Sequence, residues 1–231
     1  MTTTPTPRAL ARARTEDSIL QLAHAQLDGG GVEALSLRAI ARELGIVSSA
    51  IYRYCASREA LITMLVIDAY RSLGAAVTEA EGAIARNDYR GRLRATIGAI
   101  RGWALRYPNR YALIYGTPVP GYRAPEDTIG PAALVAEIVL AVAADLYAAG
   151  HKPQITHALK TAAPGFADLA RNAGTSIPPS HVALVVEIWT RMYGIVSFEL
   201  FGQYINVVGD AETYYDFVAD DMARRLGAPP R

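Results

Sequence analysis

Ser48, Ser49, Tyr52 and Arg53 are the residues whose types and spacing best suit recognition chemistry. Two adjacent hydroxyls, followed one helical turn later by a phenol and a guanidinium, share one face of a helix. Such a face can hydrogen-bond phosphate oxygens and base edges, as a reader of the DNA major groove must. Catalytic chemistry has less to work with. His24, His151, His157 and His181 show no His-Glu-x-x-His or other metal spacing, and no serine elbow or phosphate loop is present. Gly29-Gly30-Gly31 follows no strand and precedes no Gly-Lys-Ser/Thr, so it reads as a helix stop. Cys55, the single cysteine, excludes an intramolecular disulfide and suits a reducing cytoplasm. It has no histidine near it in sequence, which argues against a catalytic thiol.

The elements that must position these side chains lie within Leu37 to Ala56, LRAIARELGIVSSAIYRYCA. Two short helices crossing steeply need a small residue where they nearly touch, and Ala41 supplies it. Gly45 stands where the chain turns through a left-handed conformation. Ile51 is expected inside the second helix. Ser36 is a good cap for the first. Val47 is a poor cap, so Ser48 is expected to cap a second helix starting one residue later.

The segment Ser36–Leu61, with its ending Tyr52-x-x-x-x-Ser57-Arg58-Glu59-x-Leu61, resembles the signature of the TetR (tetracycline-repressor) family of bacterial transcription regulators. The resemblance implies DNA contacts from Ser36, Ser48, Ser49, Tyr52, Arg53, Tyr54 and Arg58. Ser36 would touch phosphate as well as cap, Tyr52 matches the family's phosphate-contacting tyrosine, and Arg58 its basic phosphate clamp. Tyr54 stands where histidine is usual, and its hydroxyl can still donate to phosphate. Cys55 replaces a usual phenylalanine, a loss of about 1–3 kcal/mol of burial unless packing compensates.

The net charge of +1 does not announce a nucleic-acid binder, but charge is locally sorted. Arg8, Arg12 and Arg14 form an acid-free run before a first helix expected to start at Thr15. Residues 1–13 read as a disordered basic tail, with a DNA-contacting arm as the alternative. No secretory signal is expected at the N-terminus. The apolar stretches 131–149 and 182–208 carry interrupting charges, Glu137 and Asp145 in one, Glu187, Arg191 and Glu199 in the other. They are expected to be buried helices, with no membrane partner.

With 51% hydrophobic residues and no sustained period-two alternation, the chain is expected to be all-α. Residues 14–60 are expected to form a three-helix helix-turn-helix head, and 61–231 a larger helical ligand-binding and dimerisation domain (about nine helices). The pattern predicts helices over Arg90–Tyr107, Pro108–Gly116, Pro131–Ala149, one or two within Lys152–Ala173, then Pro179–Val208 and Thr213–Leu226. Trp103 through Pro120 and Trp189…Tyr193-Gly194…Phe198-Glu199-Leu200 resemble the WHG-type C-terminal domain of the same family. The eponymous histidine is Tyr193 here, so chemistry tied to that histidine does not transfer.

The nearly all-round apolar 179–208 helix must bury two faces. By resemblance, it and the C-terminal helix form the homodimer interface. Trp103, Tyr107, Tyr111, Tyr115, Trp189 and Tyr193 are candidate lining for an apolar or aromatic ligand, or ordinary core aromatics. The implied function is a cytoplasmic bacterial repressor on palindromic double-stranded DNA, released by a small-molecule inducer, with no cofactor, metal or catalytic residue. An enzyme, and a ligand-independent nucleoid or partner-binding protein, are the competing classes.

Overall fold

Capping chemistry sets most of the helix boundaries. The structure is a computed structural model and describes residues 6–153 and 155–229. Helix α1 (Pro7–Gly30) opens on Thr6, whose side chain accepts from the Ala9 N–H, with Pro7 in the first turn. Threonine followed by proline is a strong helix start. The helix therefore begins eight residues before Thr15, and Arg8, Arg12 and Arg14 are helical rather than part of a disordered tail. Residues 1–5 of that expected tail lie outside the described residues. At the other end Gly31, at φ +67°, returns its N–H to the Leu27 carbonyl and stops the helix.

A 3-10 turn (Val32–Ala34) leads to α2 (Leu37–Glu43) and α3 (Ser48–Ile51). Then come α4 (Arg58–Gly82), α5 (Tyr89–Arg106), α6 (Pro108–Tyr115) and, after a loop, α7 (Ile129–Ala148). Short helices α8 (His157–Ala162) and α9 (Ala167–Asn172) flank a 3-10 turn at Ala163–Phe166, where Pro164-Gly165 interrupts them. The chain ends in α10 (Pro179–Leu200) and α11 (Ala211–Arg225). No strand occurs among the described residues, so the all-α expectation holds. Helix α10 stops at Leu200, not Val208. The Gly202 N–H bonds the Glu199 carbonyl and the Gln203 N–H bonds the Phe198 carbonyl, a left-handed glycine cap at φ +78°.

The chain divides into two compact units. The first takes the chain up to Tyr70 together with Tyr107–Pro131, and the second takes Arg71–Arg106 with Ala132–Arg231. The expected boundary at 60/61 falls inside α4. In the first unit Ile19, Ala23 and Leu27 of α1, Ile40 and Ala41 of α2, Ile51 of α3, and Leu61 and Leu65 of α4 are fully buried. Each large aliphatic among them contributes about 1.5–3 kcal/mol of burial. The segment after α6 joins this core through Val119 and Tyr122, and the Tyr122 hydroxyl lies 3.0 Å from Thr63 Oγ1. Asn109 Nδ2 donates to the Asp28 carbonyl at 2.9 Å, and Arg110 pairs with the Asp28 carboxylate at 3.0 Å.

In the second unit the predicted apolar face of α5, Leu93, Ile97, Ile100 and Ala104, is buried. It packs against α10 and α11. Arg92 is fully buried in the same helix. It donates from Nε to Glu81 and from Nη1 to Asp145 Oδ2 at 2.7 Å and the Arg86 carbonyl at 3.1 Å, joining α4, α5 and α7. Helices α4 and α7 are long and apolar enough to cross a membrane by length and composition alone. Asp145 of α7 is nonetheless used in this ion network.

Candidate nucleic-acid interface

Helices α2 and α3 meet through a turn whose hydrogen bonds are fully assigned. Leu44 ends α2, the Gly45 N–H bonds the Arg42 carbonyl, and the Ile46 N–H bonds the Ala41 carbonyl at 3.0 Å. Gly45 takes φ +67°, the left-handed conformation that closes this cap. Ala41 and Ile51 are fully buried on either side of it. Ser36 caps α2, with Oγ accepting from the Ala39 N–H at 3.3 Å, and its own N–H is fixed by Gln26 Oε1 at 2.8 Å.

The cap of α3 differs from expectation. Val47 occupies the N-cap position without a side-chain hydrogen bond, and Ser48 is the first helical residue. The helix is one turn long. Tyr52, Arg53 and Tyr54 form a tighter turn after it, the Arg53 N–H bonding the Ala50 carbonyl and the Tyr54 N–H the Ile51 carbonyl. Even so, Ser48, Ser49, Tyr52 and Arg53 are all exposed, while Ile51 between them points into the core. Val47 is exposed beside them at 71%, an apolar group suited to a thymine methyl. Arg38 and Arg42, one turn apart on α2, are also exposed. Their i, i+4 spacing was a signal available in the sequence.

Tyr54 and Arg58 also have partners within the head. Tyr54 is half-buried against the head's core, with the Arg12 guanidinium 5.7 Å from its ring centre. Arg58 donates from Nη2 to the Val32 carbonyl at 2.8 Å and lies 3.7 Å from Glu33, so it ties the start of α4 to the preceding 3-10 turn. Ser57 caps α4, with Oγ accepting from the Ala60 N–H. Its hydroxyl also holds the Glu59 carboxyl below the usual range. Cys55 is buried and its thiol donates to the Ser57 carbonyl at 3.3 Å. Burial pushes that thiol up, against nucleophilic use.

The six aromatic ligand candidates divide between the units. Tyr107, Tyr111 and Tyr115 belong to the first. Tyr111 is fully buried, 5.2 Å from Tyr115, and Tyr115 meets Tyr70 edge-on at 5.9 Å. The Arg110 guanidinium covers Tyr107 at 4.5 Å. Trp103, Trp189 and Tyr193 belong to the second. Trp103 Nε1 donates to Ser72 Oγ at 3.0 Å, and Trp189 packs edge-on to Tyr193 at 5.6 Å. A cavity of about 370 Å³ in the second unit is lined instead by Thr156, Leu159, Leu184, Arg224 and Arg225.

Residues 19–64 match the family described as bacterial regulatory proteins, tetR family, and residues 93–222 match the tetracyclin repressor-like C-terminal domain. The HTH-type transcriptional regulator Rv1816 of Mycobacterium tuberculosis is 38% identical over 216 residues, 88% of this chain and 91% of that protein. The crystal structure of a candidate regulatory protein, SCO4313, is 34% identical with a TM-score of 0.75, covering 95% of this chain and 98% of that one. A protein of unknown function from Rhodococcus sp. RHA1 shares the fold at a TM-score of 0.69 and 23% identity, over 92% and 95% of the two chains. The two family matches and the Mycobacterium tuberculosis relative are transcription regulators rather than enzymes, and the chain belongs to the TetR family of bacterial transcription regulators.

Proposed function

We propose that this regulator acts in the bacterial cytoplasm as a homodimeric repressor of a palindromic operator and is released by a small apolar or aromatic molecule. The observation that carries the DNA reading is the exposed row Ser48, Ser49, Tyr52 and Arg53 around a buried Ile51. Hydroxyls and a guanidinium held on a packed frame can meet phosphates and base edges without further ordering. One such row reads one half-site, and a two-fold dimer reads two about one helical turn apart.

Support for the dimer comes from the second unit. Thr190, Gly194 and Phe198 form an exposed stripe on α10, one turn apart, with the small Gly194 at its centre. Phe201, Ile205 and Val207 follow, and Phe217 of α11 is 59% exposed. Phe198, Tyr204, Tyr214 and Phe217 make a continuous chain of ring contacts. A contiguous apolar patch of this kind suits a self-complementary interface with a second copy. The effector reading is supported by Trp189, whose buried indole N–H has no acceptor among the described residues. An unmet buried donor costs about 1–3 kcal/mol, which a ligand acceptor would recover.

Mobility shifts with DNA flanking the protein's own gene test the reading. Retardation of a palindromic fragment, lost in Arg53→Ala and reversed by a compound that also raises the melting temperature, is the expected result. Failure to retard any nearby palindrome at low salt would count against repression at that locus.

A further inference from the structure

The first two turns of α1 contribute no residue to the core. Every residue from Pro7 to Arg14 is exposed, and the first fully buried residue is Ile19. Exposed turns gain no packing energy and are marginal in water, so their persistence as helix needs other support. Thr6 caps the end, with Oγ1 accepting from the Ala9 N–H at 3.2 Å. Arg12 supplies the rest. Its Nε donates to Glu16 Oε1 at 2.7 Å and its Nη2 to the Arg53 carbonyl at 3.4 Å, while its guanidinium sits against the Tyr54 ring. The last two contacts join α1 to the turn that follows α3, across 41 positions of sequence.

Arg8 is one turn before Arg12 on the same stripe, about 6 Å further along the axis. It is exposed and makes no hydrogen bond or ion pair with the described residues. The run from Pro7 to Arg14 holds three arginines and no acid. Glu16 neutralises Arg12, which leaves Arg8 as a cation without an acidic partner on this stripe, and the Tyr52–Tyr54 turn that Arg12 abuts is the exposed edge of the recognition row.

We propose that the first two turns of α1 are a second DNA-contacting element: Arg12 is a positioning residue for the Tyr52–Tyr54 turn, and Arg8 contacts the phosphate backbone beside the half-site. The inference rests on the reading of α3 as the DNA-facing helix. Arg12 acts through the turn it holds, so it governs sequence preference. Arg8 acts through charge, so it governs salt dependence.

The test uses the full chain and a duplex selected by the wild-type protein from a random library at low salt. Binding is followed by fluorescence anisotropy over a salt series for Arg8→Ala, Arg12→Ala and Arg12→Lys, with Arg171→Ala as a remote control and circular dichroism to verify folding. Arg8→Ala should make the log–log salt slope shallower by about 0.9 per phosphate contact, or about 1.8 for a dimer, with base preference unchanged. Arg12→Ala should lower the discrimination between the selected duplex and single-base variants several-fold. Arg12→Lys keeps the charge but should not restore the discrimination. Wild-type slope in Arg8→Ala together with wild-type discrimination in Arg12→Ala would overturn the inference and leave the α3 reading intact. Wild-type discrimination in Arg12→Lys would overturn the positioning role. A wild-type protein that selects no sequence would overturn both the inference and the reading beneath it. Arg8 is exposed and makes no hydrogen bond or ion pair with the described residues, so its variant keeps the test valid even if Arg12→Ala unfolds.

Discussion

Replacing Gly45 with alanine isolates the turn that sets the angle between α2 and α3. At φ +67° the Cβ of an L-residue crowds its own carbonyl, a cost of about 1–2 kcal/mol. No atom lies within 4 Å of the position the new Cβ would take, so no clash adds to that cost. Alanine keeps the backbone N–H, so the bond to the Arg42 carbonyl remains available. The expected destabilisation is therefore about 1–2 kcal/mol, confined to the head. Trp103 and Trp189 both lie in the second unit, so indole fluorescence does not follow this change. Hydrogen exchange of the α2 and α3 amides does, and should accelerate roughly 5–30-fold, the population shift that 1–2 kcal/mol represents. Gly45→Asn should fall between glycine and alanine, because asparagine visits this region more readily. Wild-type exchange in Gly45→Ala would refute the left-handed turn. A loss above about 4 kcal/mol would refute the open space around it, since conformation alone does not cost that much.

Other consequences concern the second unit. Arg92→Met strands the buried Glu81 carboxylate and should cost about 3–5 kcal/mol in urea unfolding followed by tryptophan fluorescence, and adding Glu81→Met should recover most of it. A mild single effect would mean that Arg86 alone satisfies Glu81. The Arg101 guanidinium holds the Glu199 carboxyl below its ordinary value of 4.5 through bonds of 2.8 and 2.7 Å. Because the folded pKa is depressed, this stabilisation is complete above that ordinary value and fades as pH falls through the folded one. Thermal melts of Glu199→Gln should accordingly lose part of their acid sensitivity, and an unchanged pH profile would sink the assignment. In sedimentation the wild type should run as a dimer and Gly194→Arg with Phe198→Glu as a monomer, and a persistent dimer would place the interface elsewhere.

The two-helix unit was legible because its determinants are local. Ala41, Gly45 and Ile51 each answer a steric demand within a few residues, and the cap of α2 at Ser36 is of the same kind. Other boundaries misled for physical reasons. The apolar run continues past Leu200, but one left-handed cap at Gly202 outweighs composition and ends α10 there. At the N-terminus the arginine run suggested a solvated tail, while the Thr6-Pro7 start signal specified a helix. The inclusion of Tyr107–Pro131 in the first unit depends on contacts such as Arg110 with Asp28, 82 residues apart, which no local pattern encodes. Arg58 carries the family's motif, yet its hydrogen bond to the Val32 carbonyl is a tertiary fact. Tyr54 likewise shows its half-buried setting only once α1 is in place.

Sequencing the duplexes that the wild-type protein enriches from a random library, at low salt, tests the central claim most directly. The account predicts an inverted repeat whose half-sites lie about one helical turn apart, with enrichment lost in Arg53→Ala. Enrichment of no sequence, or of one that Arg53→Ala recovers equally well, would contradict it.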